Sequence, residues 1–416
     1  MLSSIRYKAR CLLALPLLCW ALSSHAQSRL AAEDAVALAL SQPHVPQALD
    51  AGVAAARSDL LAARTWTNPG LTLSQERGNL GPLGETRESS AMLSQEFELG
   101  GRRALRRQAA ELGVVAASLE AKYTVARLRA EVLRAYSDAV AGELRREGQT
   151  RAAGNLRTLA EVAARRQRSG DLSGYESRRI VQAGQQAQAR AAEADAEARA
   201  ARARLAGLVG EAALDAELDA LPPLPALPAP TDELRSAELD VLDARREQAL
   251  AAARAERRNA LPLTVGIGTK RIEEFGSSER QLLLELGVPL PLFDRNQAAR
   301  ARTTANADQA EAAYHRALLA TRGRHAAARE SAERLSASAR RLLETTVPEA
   351  ARLTEIACSS FAEGELDLVG LLDAHAAESD VLQQALDQQS RALDALLELQ
   401  MLSPLSHSHP ATDPHR

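Results

Sequence analysis

A long stretch without proline is the feature that most constrains how this 416-residue chain can fold. From Arg102 to about Gln167 there is no proline, and apolar residues recur at steps of three and four, the period of one helix face. The positions that carry this period are Leu112, Val115, Leu119, Tyr123, Ala126, Ala130, Leu133 and Val140. At 1.5 Å per residue, roughly 65 residues make a rod on the order of 100 Å long. Such a rod buries its apolar stripe only if other helices lie along it.

Three further segments supply those helices. A second rod is predicted from about Asp294 to Thr346, continuing past Pro348 to Ser360. Return helices are predicted at 173–209 and 367–402. Their alanine-rich faces allow close approach, so we expect a coiled-coil-like assembly. The helices alone are equally compatible with an extended soluble coiled coil.

Four short segments break the helical pattern and alternate apolar with polar residues, which is the period of a β-strand. They lie at about residues 70–77, 90–99, 263–270 and 280–288, and turn-rich loops join the members of each pair. Two β-hairpins are therefore predicted. Their period places Leu71, Leu73, Leu263, Val265 and Ile267 on one face, and Thr72, Ser74, Thr264, Gly266 and Lys270 on the other.

The two halves of the chain repeat one another. The exits from the hairpins match at Arg102 and Arg295, which are 193 positions apart, and the glycine turns match at Gly170 and Gly364, which are 194 apart. Each half reads as helix, hairpin, long helix, glycine turn and return helix. We predict a first repeat at 27–220, a proline-rich connector at 221–230 and a second repeat at 231–402, followed by a disordered histidine-containing tail at 403–416.

Residues 1–26 are typical of a cleaved signal peptide. A basic start with Arg6 and Lys8 precedes a short apolar core, and small residues stand before a predicted cut at Gln27. Lipoprotein processing at Cys19 is disfavoured because Leu18 stands where a small side chain is expected. With this segment removed, Cys358 is the remaining cysteine, so no intrachain disulfide is expected.

No later segment contains eighteen consecutive apolar residues, so no membrane-spanning helix is predicted for the mature chain. The strands are long enough for a bilayer, but four strands do not close a barrel, and an open sheet edge in lipid costs several kcal/mol for each unpaired group. Three chains would together provide twelve strands. The alternative is a small soluble sheet packed on the helices.

Several motifs resemble those of TolC-type outer-membrane efflux proteins. They are Asn68-Pro69-Gly70-Leu71, residues 94–103 (SQEFELGGRR), residues 287–296 (GVPLPLFDRN) and Gly364-Glu365-Leu366-Asp367-Leu368 with Leu371-Leu372-Asp373-Ala374. The resemblance covers about residues 30–402, and the last two motifs are most similar to the CzcC-like heavy-metal efflux branch. It implies a mainly α fold with a small β part. It also implies a homotrimer with a twelve-stranded β-barrel in the outer membrane, continuous with a twelve-helix α-barrel in the periplasm.

The resemblance also implies functional positions. Gly100, Gly101, Pro289 and Pro291 would form the junctions between barrel and tunnel. The turns at the far end would dock a periplasmic membrane-fusion adaptor attached to an inner-membrane pump of the resistance-nodulation-division (RND) type, with the chain itself a passive conduit in outer-membrane lipid. By position those turns contain Arg168, Gly170, Leu172, Ser173, Gly364, Leu366 and Asp367. A bulky charged residue at Gly364 or Leu366 is expected to leave the trimer intact and to abolish resistance. Without the resemblance, each turn is an ordinary helix-ending glycine turn.

Other parts of the sequence are less decisive. Aromatic residues make up only 3% of the chain, so the membrane-interface girdle is reduced to Trp66, Phe97 and Phe275. His407 and His409 could share a metal ion, although chance histidines in a disordered tail explain them as well. A net charge of −3 gives no reason to expect a nucleic-acid partner.

No enzyme is predicted, and no cofactor. The sequence shows no phosphate-binding loop, assigns Cys358 no histidine partner, and leaves His315, His325 and His375 single on helices. Two alternatives stay open at this point. One is a multidrug or type I secretion outlet of the same fold, and the other is a periplasmic coiled-coil adaptor or scaffold.

Overall fold

The computed structural model describes residues 29–79, 81, 85–229, 235–258, 261–274 and 276–403. Within them the fold is mainly helical with a small β part, as predicted. The predicted signal peptide, Phe275, His407 and His409 lie outside the described residues.

The chain order shows two similar series of elements. The elements are β1 (Arg29–Leu30), α1 (Ala32–Ser41), α2 (His44–Arg64), β2 (Gly70–Asn79), β3 (Glu85–Leu99), α3 (Arg102–Ser169), α4 (Gly174–Val209), α5 (Ala212–Asp215), β4 (Glu217–Leu218), α6 (Ala237–Arg257), β5 (Leu261–Glu274), β6 (Ser277–Gly287), α7 (Gln297–Arg341), a π-helical turn (Leu342–Thr346), α8 (Val347–Glu363) and α9 (Leu368–Met401). Helix, hairpin, long helix, turn and return helix therefore occur once from α2 to α4 and again from α6 to α9.

The two rods differ in continuity. The first, α3, is one unbroken helix of 68 residues. The second, expected to run unbroken past Pro348, is instead interrupted by the π-helical turn, and Pro348 stands in the first turn of α8. The reason is local: a proline has no N–H to donate, and its ring clashes with the carbonyl of the residue four positions earlier. That residue is Glu344, which lies within the wider π-helical turn.

The hairpins join in one antiparallel sheet of order β2-β3-β5-β6, so β2 and β6 are its edges. The strands extend further than the alternating pattern predicted: β3 begins at Glu85 rather than near residue 90, and β5 continues to Glu274. In these extensions polar side chains pair across strands, as where Arg271 Nε donates to the Ser278 hydroxyl at 3.0 Å. Polar residues on both faces carry no alternation, so sequence periodicity misses them.

Apolar cores form between the helices. One contains Leu30, Val36, Val132, Tyr136 and Leu205, where the Tyr136 hydroxyl donates to the Leu30 carbonyl oxygen at 2.7 Å. A second lies where α3, α4, α8 and α9 meet, and includes Leu156, Ile180, Phe361 and Leu371. Across the described residues, no helix combines the length and the apolar composition that crossing a bilayer requires.

The proline-rich connector lies against the second series of helices. Its described part, up to residue 229, has no regular secondary structure. The Pro222 carbonyl oxygen accepts a hydrogen bond from the Gln389 side chain at 3.4 Å, and the Pro228 carbonyl oxygen accepts one from Arg329 at 3.3 Å. The connector is therefore held by α7 and α9 along its course.

Candidate functional site

The turns after α3 and α8 have the same backbone geometry. Gly170 and Gly364 both adopt the left-handed conformation, with φ of 86° and 87°. The Gly170 N–H donates to the Gln167 carbonyl oxygen at 3.2 Å, and the Asp171 N–H donates to that of Arg166 at 2.8 Å. Residues 194 positions later repeat this pattern, with Gly364 donating to Phe361 at 3.1 Å and Glu365 to Ser360 at 2.8 Å. Each helix thus ends in a Schellman motif, which glycine favours because it lacks a Cβ.

Polar side chains begin the helices that follow the turns. The Ser173 hydroxyl accepts from the Glu176 N–H at 3.2 Å, and the Glu176 carboxylate accepts from the Ser173 N–H at 3.0 Å, which completes a capping box. These bonds from Ser173 hold the pKa of the Glu176 carboxyl below its usual value. At the second turn, the Asp367 carboxylate accepts from the Gly370 N–H at 2.8 Å. Both predicted positions therefore have a structural role as N-caps.

The leucines of the two turns face inward. Leu172 and Leu366 are half-buried and pack against the core formed by α3, α4, α8 and α9. Arg168, in contrast, is exposed, as are the two glycines and the two N-cap residues. A charged residue at Leu366 would therefore disturb packing as well as any docking surface.

Sequence analysis missed two exposed side chains beside the turns. Tyr175 is 69% exposed in the first turn of α4, and Val369 is 66% exposed in the first turn of α9. Each follows its turn glycine by five residues, so the repeat itself contained the signal. We call the exposed set of Arg168, Gly170, Ser173, Tyr175, Gly364, Asp367 and Val369 the turn surface.

Arg166 joins the two turns. Its guanidinium donates to the Phe361 carbonyl oxygen at 2.8 Å and lies 5.7 Å from the centre of the Phe361 ring. A Cβ placed on Gly364 would come within 2.7 Å of Arg166 Nη2, whereas a Cβ on Gly170 would meet nothing within 4 Å. The two turns thus share backbone geometry but differ in their surroundings.

The strand-to-helix junctions use different lengths of chain. Between β3 and α3 stand only Gly100 and Gly101, both left-handed with φ of 96° and 77°. Between β6 and α7 stand residues 288–296, where the Leu292 N–H donates to the Leu290 carbonyl oxygen at 2.8 Å in a tight turn around Pro291. Pro289 precedes this turn. The expected match of Arg102 with Arg295 is therefore displaced, because α7 begins at Gln297.

Asn296 was missed as the structural counterpart of Gly101. Each residue immediately precedes its rod in a left-handed conformation, and Asn296, with φ of 62°, is the one non-glycine residue of the described chain with a positive φ. Asparagine tolerates this conformation better than most residues. The available signal was therefore an asparagine directly before a long helical pattern.

Glu256, near the end of α6, links the two junctions. Its carboxylate accepts hydrogen bonds from Arg102 and from Asn296 Nδ2, the latter at 2.6 Å, and only 17% of its side chain is exposed. The hydrogen bond from Arg102 lowers the pKa of Glu256 against the opposing effect of burial, and Asn296 adds to the lowering. Glu256 therefore remains ionised at neutral pH and holds the starts of both rods together.

The four-stranded sheet exposes one continuous apolar row. Its register pairs Leu71 with Leu93, Leu93 with Ile267, and Ile267 with Leu284, and each of these side chains is half or more exposed. The opposite face carries polar groups such as Ser74, Ser90 and Lys270. At the base of the sheet, the rings of Trp66 and Phe97 lie 6.0 Å apart, and the Arg103 guanidinium lies 3.8 Å from the centre of the Trp66 ring.

His375 is not isolated on its helix as the sequence indicated. Its Nε2 lies 3.5 Å from Cys358 Sγ, across the turn between α8 and α9. Burial lowers the pKa of His375 and raises the pKa of the Cys358 thiol, so at neutral pH the pair is an uncharged imidazole beside a thiol. A thiol of raised pKa is a poor nucleophile. In the described ranges, no group of three or more His, Cys, Asp or Glu side chains gathers where it could hold a metal ion.

Comparison with known proteins identifies the family. The family model for outer membrane efflux proteins matches residues 232–403. The chain is 30% identical over 332 residues to the cobalt-zinc-cadmium resistance protein CzcC of Cupriavidus metallidurans, an alignment that covers 76% of each chain. It is 29% identical over 256 residues to the nickel-cobalt-cadmium resistance protein NccC of Alcaligenes xylosoxydans xylosoxydans, which covers 59% of this chain and 57% of NccC.

The fold is also found among solved structures. The outer membrane channel CmeC of Campylobacter jejuni matches with a TM-score of 0.74 at 14% identity, covering 89% of this chain and 85% of CmeC. Identity this low shows only that the two chains share a fold. From these matches we conclude that the chain belongs to the outer membrane efflux protein family.

Proposed function

We propose that this chain is the outer-membrane exit duct of a tripartite RND-type efflux system and that it exports divalent heavy-metal cations of the cobalt, zinc and cadmium group. The observation that carries the choice of cargo is the 30% identity to a cobalt-zinc-cadmium resistance protein over 76% of both chains. The likeness to CmeC, at 14% identity, does not favour any other cargo.

The sheet supports assembly into a trimeric barrel. Within the part of the chain that the structure describes, nothing covers the apolar row of Leu71, Leu93, Ile267 and Leu284, and strands β2 and β6 each leave one edge unpaired. Lipid would cover the apolar face, while a neighbouring chain would pair with each edge. Three copies of four strands make a closed barrel of twelve, and the polar face with Ser74 and Lys270 would line its interior.

The opposite end supports docking of a second protein. The turn surface presents glycines and polar residues together with two exposed non-polar or aromatic side chains, Val369 and Tyr175, above a well-packed core. An exposed tyrosine ring of this kind serves well as an anchor in a protein interface, and Val369 adds apolar contact area. We assign this surface to a periplasmic membrane-fusion adaptor, which connects the duct to an inner-membrane pump. The pump would supply the energy, and the duct would be passive.

Metal tolerance of a deletion strain tests the proposed cargo. Growth is scored with cobalt, zinc, cadmium, nickel, copper and silver salts and with a panel of hydrophobic drugs, with the restored gene as control. We expect sensitivity to the divalent metals alone. Sensitivity to drugs alone would agree with an exit duct but would contradict the proposed metal cargo.

Fractionation tests the duct itself. Expressed from its full-length gene, the protein should be recovered in the outer membrane as trimers that resist dissociation in detergent until heated. The chain should also lack residues 1–26 when its N-terminus is determined. A soluble periplasmic monomer or dimer would instead identify a coiled-coil scaffold.

A further inference from the structure

Residues 288–293 (VPLPLF) form an exposed apolar segment directly after β6, which we call the apolar junction. Leu290 is 76% exposed, Leu292 65% and Phe293 91%, so the described part of the chain leaves all three side chains largely uncovered. The Leu292 N–H donates to the Leu290 carbonyl oxygen at 2.8 Å, and two prolines restrict the backbone, so the segment has a defined shape. A contiguous apolar surface of this kind marks a site of contact with a partner.

The apolar junction continues an apolar face that begins in β6. Leu282, Leu284 and Leu286 are 68%, 76% and 74% exposed, whereas Ser278 and Arg280, earlier on the same face, are polar. From Leu282 to Leu286 the apolar positions span about 14 Å along the strand, or about 10 Å along the membrane normal at a tilt of about 40°. The apolar band of an outer-membrane barrel is about 25 Å tall. The apolar positions of β6 therefore cover less than half of such a band.

The neighbouring strands show where the band continues. Phe97 of β3 pairs with Leu263 of β5, and both belong to the apolar face of the sheet. The pairing of β6 with β5 ends where Gly287 meets Thr264, so the next residue, Val288, comes level with Leu263. The sheet thus stays apolar on this face beyond the end of β6, at the depth where the apolar junction begins.

We propose that the apolar junction is a membrane anchor, in which Leu290, Leu292 and Phe293 contact phospholipids of the periplasmic leaflet. This inference rests on the proposed function, because it requires the sheet to stand in the outer membrane. When the apolar positions are followed from β6 to Leu290, they reach about 20 Å along the membrane normal, close to the height of the band. Phe293 would lie at the membrane interface, where aromatic residues are enriched. The exposed charged residues Asp294 and Arg295 then return the chain to water.

The backbone of the apolar junction suits this position. Irregular backbone is costly in lipid because N–H groups without partners lose their water. Pro289 and Pro291 have no N–H, and the Leu292 N–H is already bonded, so three of the six residues leave no N–H unpaired. The junction of the other repeat, Gly100 and Gly101, carries no apolar side chain. In a trimer, three anchors would therefore alternate with three junctions that lack one.

A nitroxide label at position 293 tests this contact directly. Phe293→Cys is made in a Cys358→Ser background, and the protein is purified from the outer membrane and labelled, with one label per chain confirmed by mass spectrometry. It is then reconstituted in vesicles of phosphatidylethanolamine and phosphatidylglycerol. Oxygen concentrates in lipid and a nickel chelate in water, so we expect the ratio of oxygen to nickel collisions to be about tenfold higher at position 293 than in Arg168→Cys. Frequent nickel collisions at 293 would place it in water. Rare collisions with both reagents would show that a neighbouring chain covers it, and either result overturns the anchor.

Leu284→Cys, labelled in the same background, separates this inference from the proposed function. Leu284 lies in the middle of the apolar positions of β6. A lipid signal at 284 without one at 293 would contradict the anchor and agree with the barrel. A water signal at 284 would contradict the barrel, and with it the anchor.

Phe293→Asp and Phe293→Trp are a matched pair for a measurement in cells. We expect Phe293→Asp to lower the amount of heat-dissociable trimer in the outer membrane by about twofold or more and Phe293→Trp to leave it unchanged, because tryptophan is favoured at the membrane interface. Leu319→Asp, at a leucine of α7 that is 67% exposed, is the control and should cause no loss. Equal losses in the two Phe293 variants would show that the ring fills a close-packed protein contact. The absence of any loss in Phe293→Asp would also exclude the anchor.

Discussion

Asn296 Nδ2 donates a hydrogen bond of 2.6 Å to the carboxylate of Glu256, the same group that receives Arg102 from the start of the other rod. Asn296 therefore does two things at once. It adopts the left-handed turn that begins α7, and it attaches that turn to α6. The second task depends on the amide: glycine would provide only the turn, and an ionised aspartate has no N–H to donate to the Glu256 carboxylate.

Asn296→Asp tests this relationship. The substitution keeps the size and the tolerance for a positive φ, but it places a second carboxylate against Glu256. We expect the free energy of unfolding to fall by about 2–3 kcal/mol at neutral pH. Thermal unfolding of the purified protein, followed by circular dichroism, measures this loss. Asn296→Gly, which keeps the turn and adds no charge, is the control and should lose less.

The loss should depend on pH with a defined sign. In the wild-type chain the pKa of Glu256 is lowered on folding, so its contribution is full above the unfolded pKa of about 4.3 and is lost as pH falls through the lower folded value. In Asn296→Asp one of the two carboxylates protonates on acidification, which removes the repulsion. The difference between variant and wild type should therefore shrink below about pH 5. A difference that stays constant with pH would exclude carboxylate repulsion as the cause.

Gly364→Ala and Gly170→Ala form a matched pair. Both positions have nearly the same positive φ, so both substitutions carry the same backbone strain of about 1 kcal/mol. Only at Gly364 does the new methyl group also displace Arg166, which should cost about 1 kcal/mol more through the lost bond to Phe361. Thermal melts followed by circular dichroism measure both losses. In an Arg166→Ala background the two costs should become equal; a remaining gap would mean that Arg166 is not the cause.

Leu284→Arg and Leu283→Arg test which face of the sheet meets lipid. Leu284 belongs to the exposed apolar row, and its neighbour Leu283 projects from the opposite face. A charge on the lipid side of a membrane barrel costs about 2–4 kcal/mol near the bilayer centre, whereas the interior tolerates it. We expect Leu284→Arg to reduce the amount of heat-dissociable trimer in the outer membrane and Leu283→Arg to leave it nearly unchanged. A larger loss of trimer in Leu283→Arg than in Leu284→Arg would mean that the face with Leu283 meets lipid.

The double variant Tyr175→Glu with Val369→Glu tests the turn surface. Both side chains are about two-thirds exposed, so charges there should leave the trimer intact while weakening contact with an adaptor. Metal resistance should fall to that of the deletion strain. Leu214→Glu is the control: it also places a charge at an exposed leucine, but in α5, which follows the other end of α4. If the double variant retains metal resistance, the adaptor does not dock on these turns.

The large features of the fold are predictable because each rests on local chemistry. A stretch without proline from Arg102 onward permits an uninterrupted helix, and the turn glycines Gly170 and Gly364 end the helices that precede them. The polar ends of β3 and β5 were missed because they lack the alternation that reveals a strand. The π-helical turn was missed because its cause, the position of Pro348, is also compatible with a kinked α-helix.

The details of the sites depend on contacts between distant residues. Cys358 and His375 lie at similar distances on either side of the turn at 364–367, so an antiparallel hairpin brings them together. The similar spacing of Cys358 and His375 from the turn could have predicted their contact from the sequence, once the turn was located. The link from Glu256 to Arg102 and Asn296 had no such signal, because it joins three segments from different parts of the chain.

The repetition of the two halves would change how the proposed trimeric ring assembles. Six separate half-chains would need five associations to form such a ring, whereas three chains that each contain two halves would need only two, because the second half is always present at high local concentration. Once both halves are joined, each copy is also free to diverge. Arg166 has Ser360 as its counterpart 194 positions later, and Gly101 has Asn296 at the start of the other rod. In the proposed trimer, fusion would therefore give a ring of six similar units the chemical variety of two different ones.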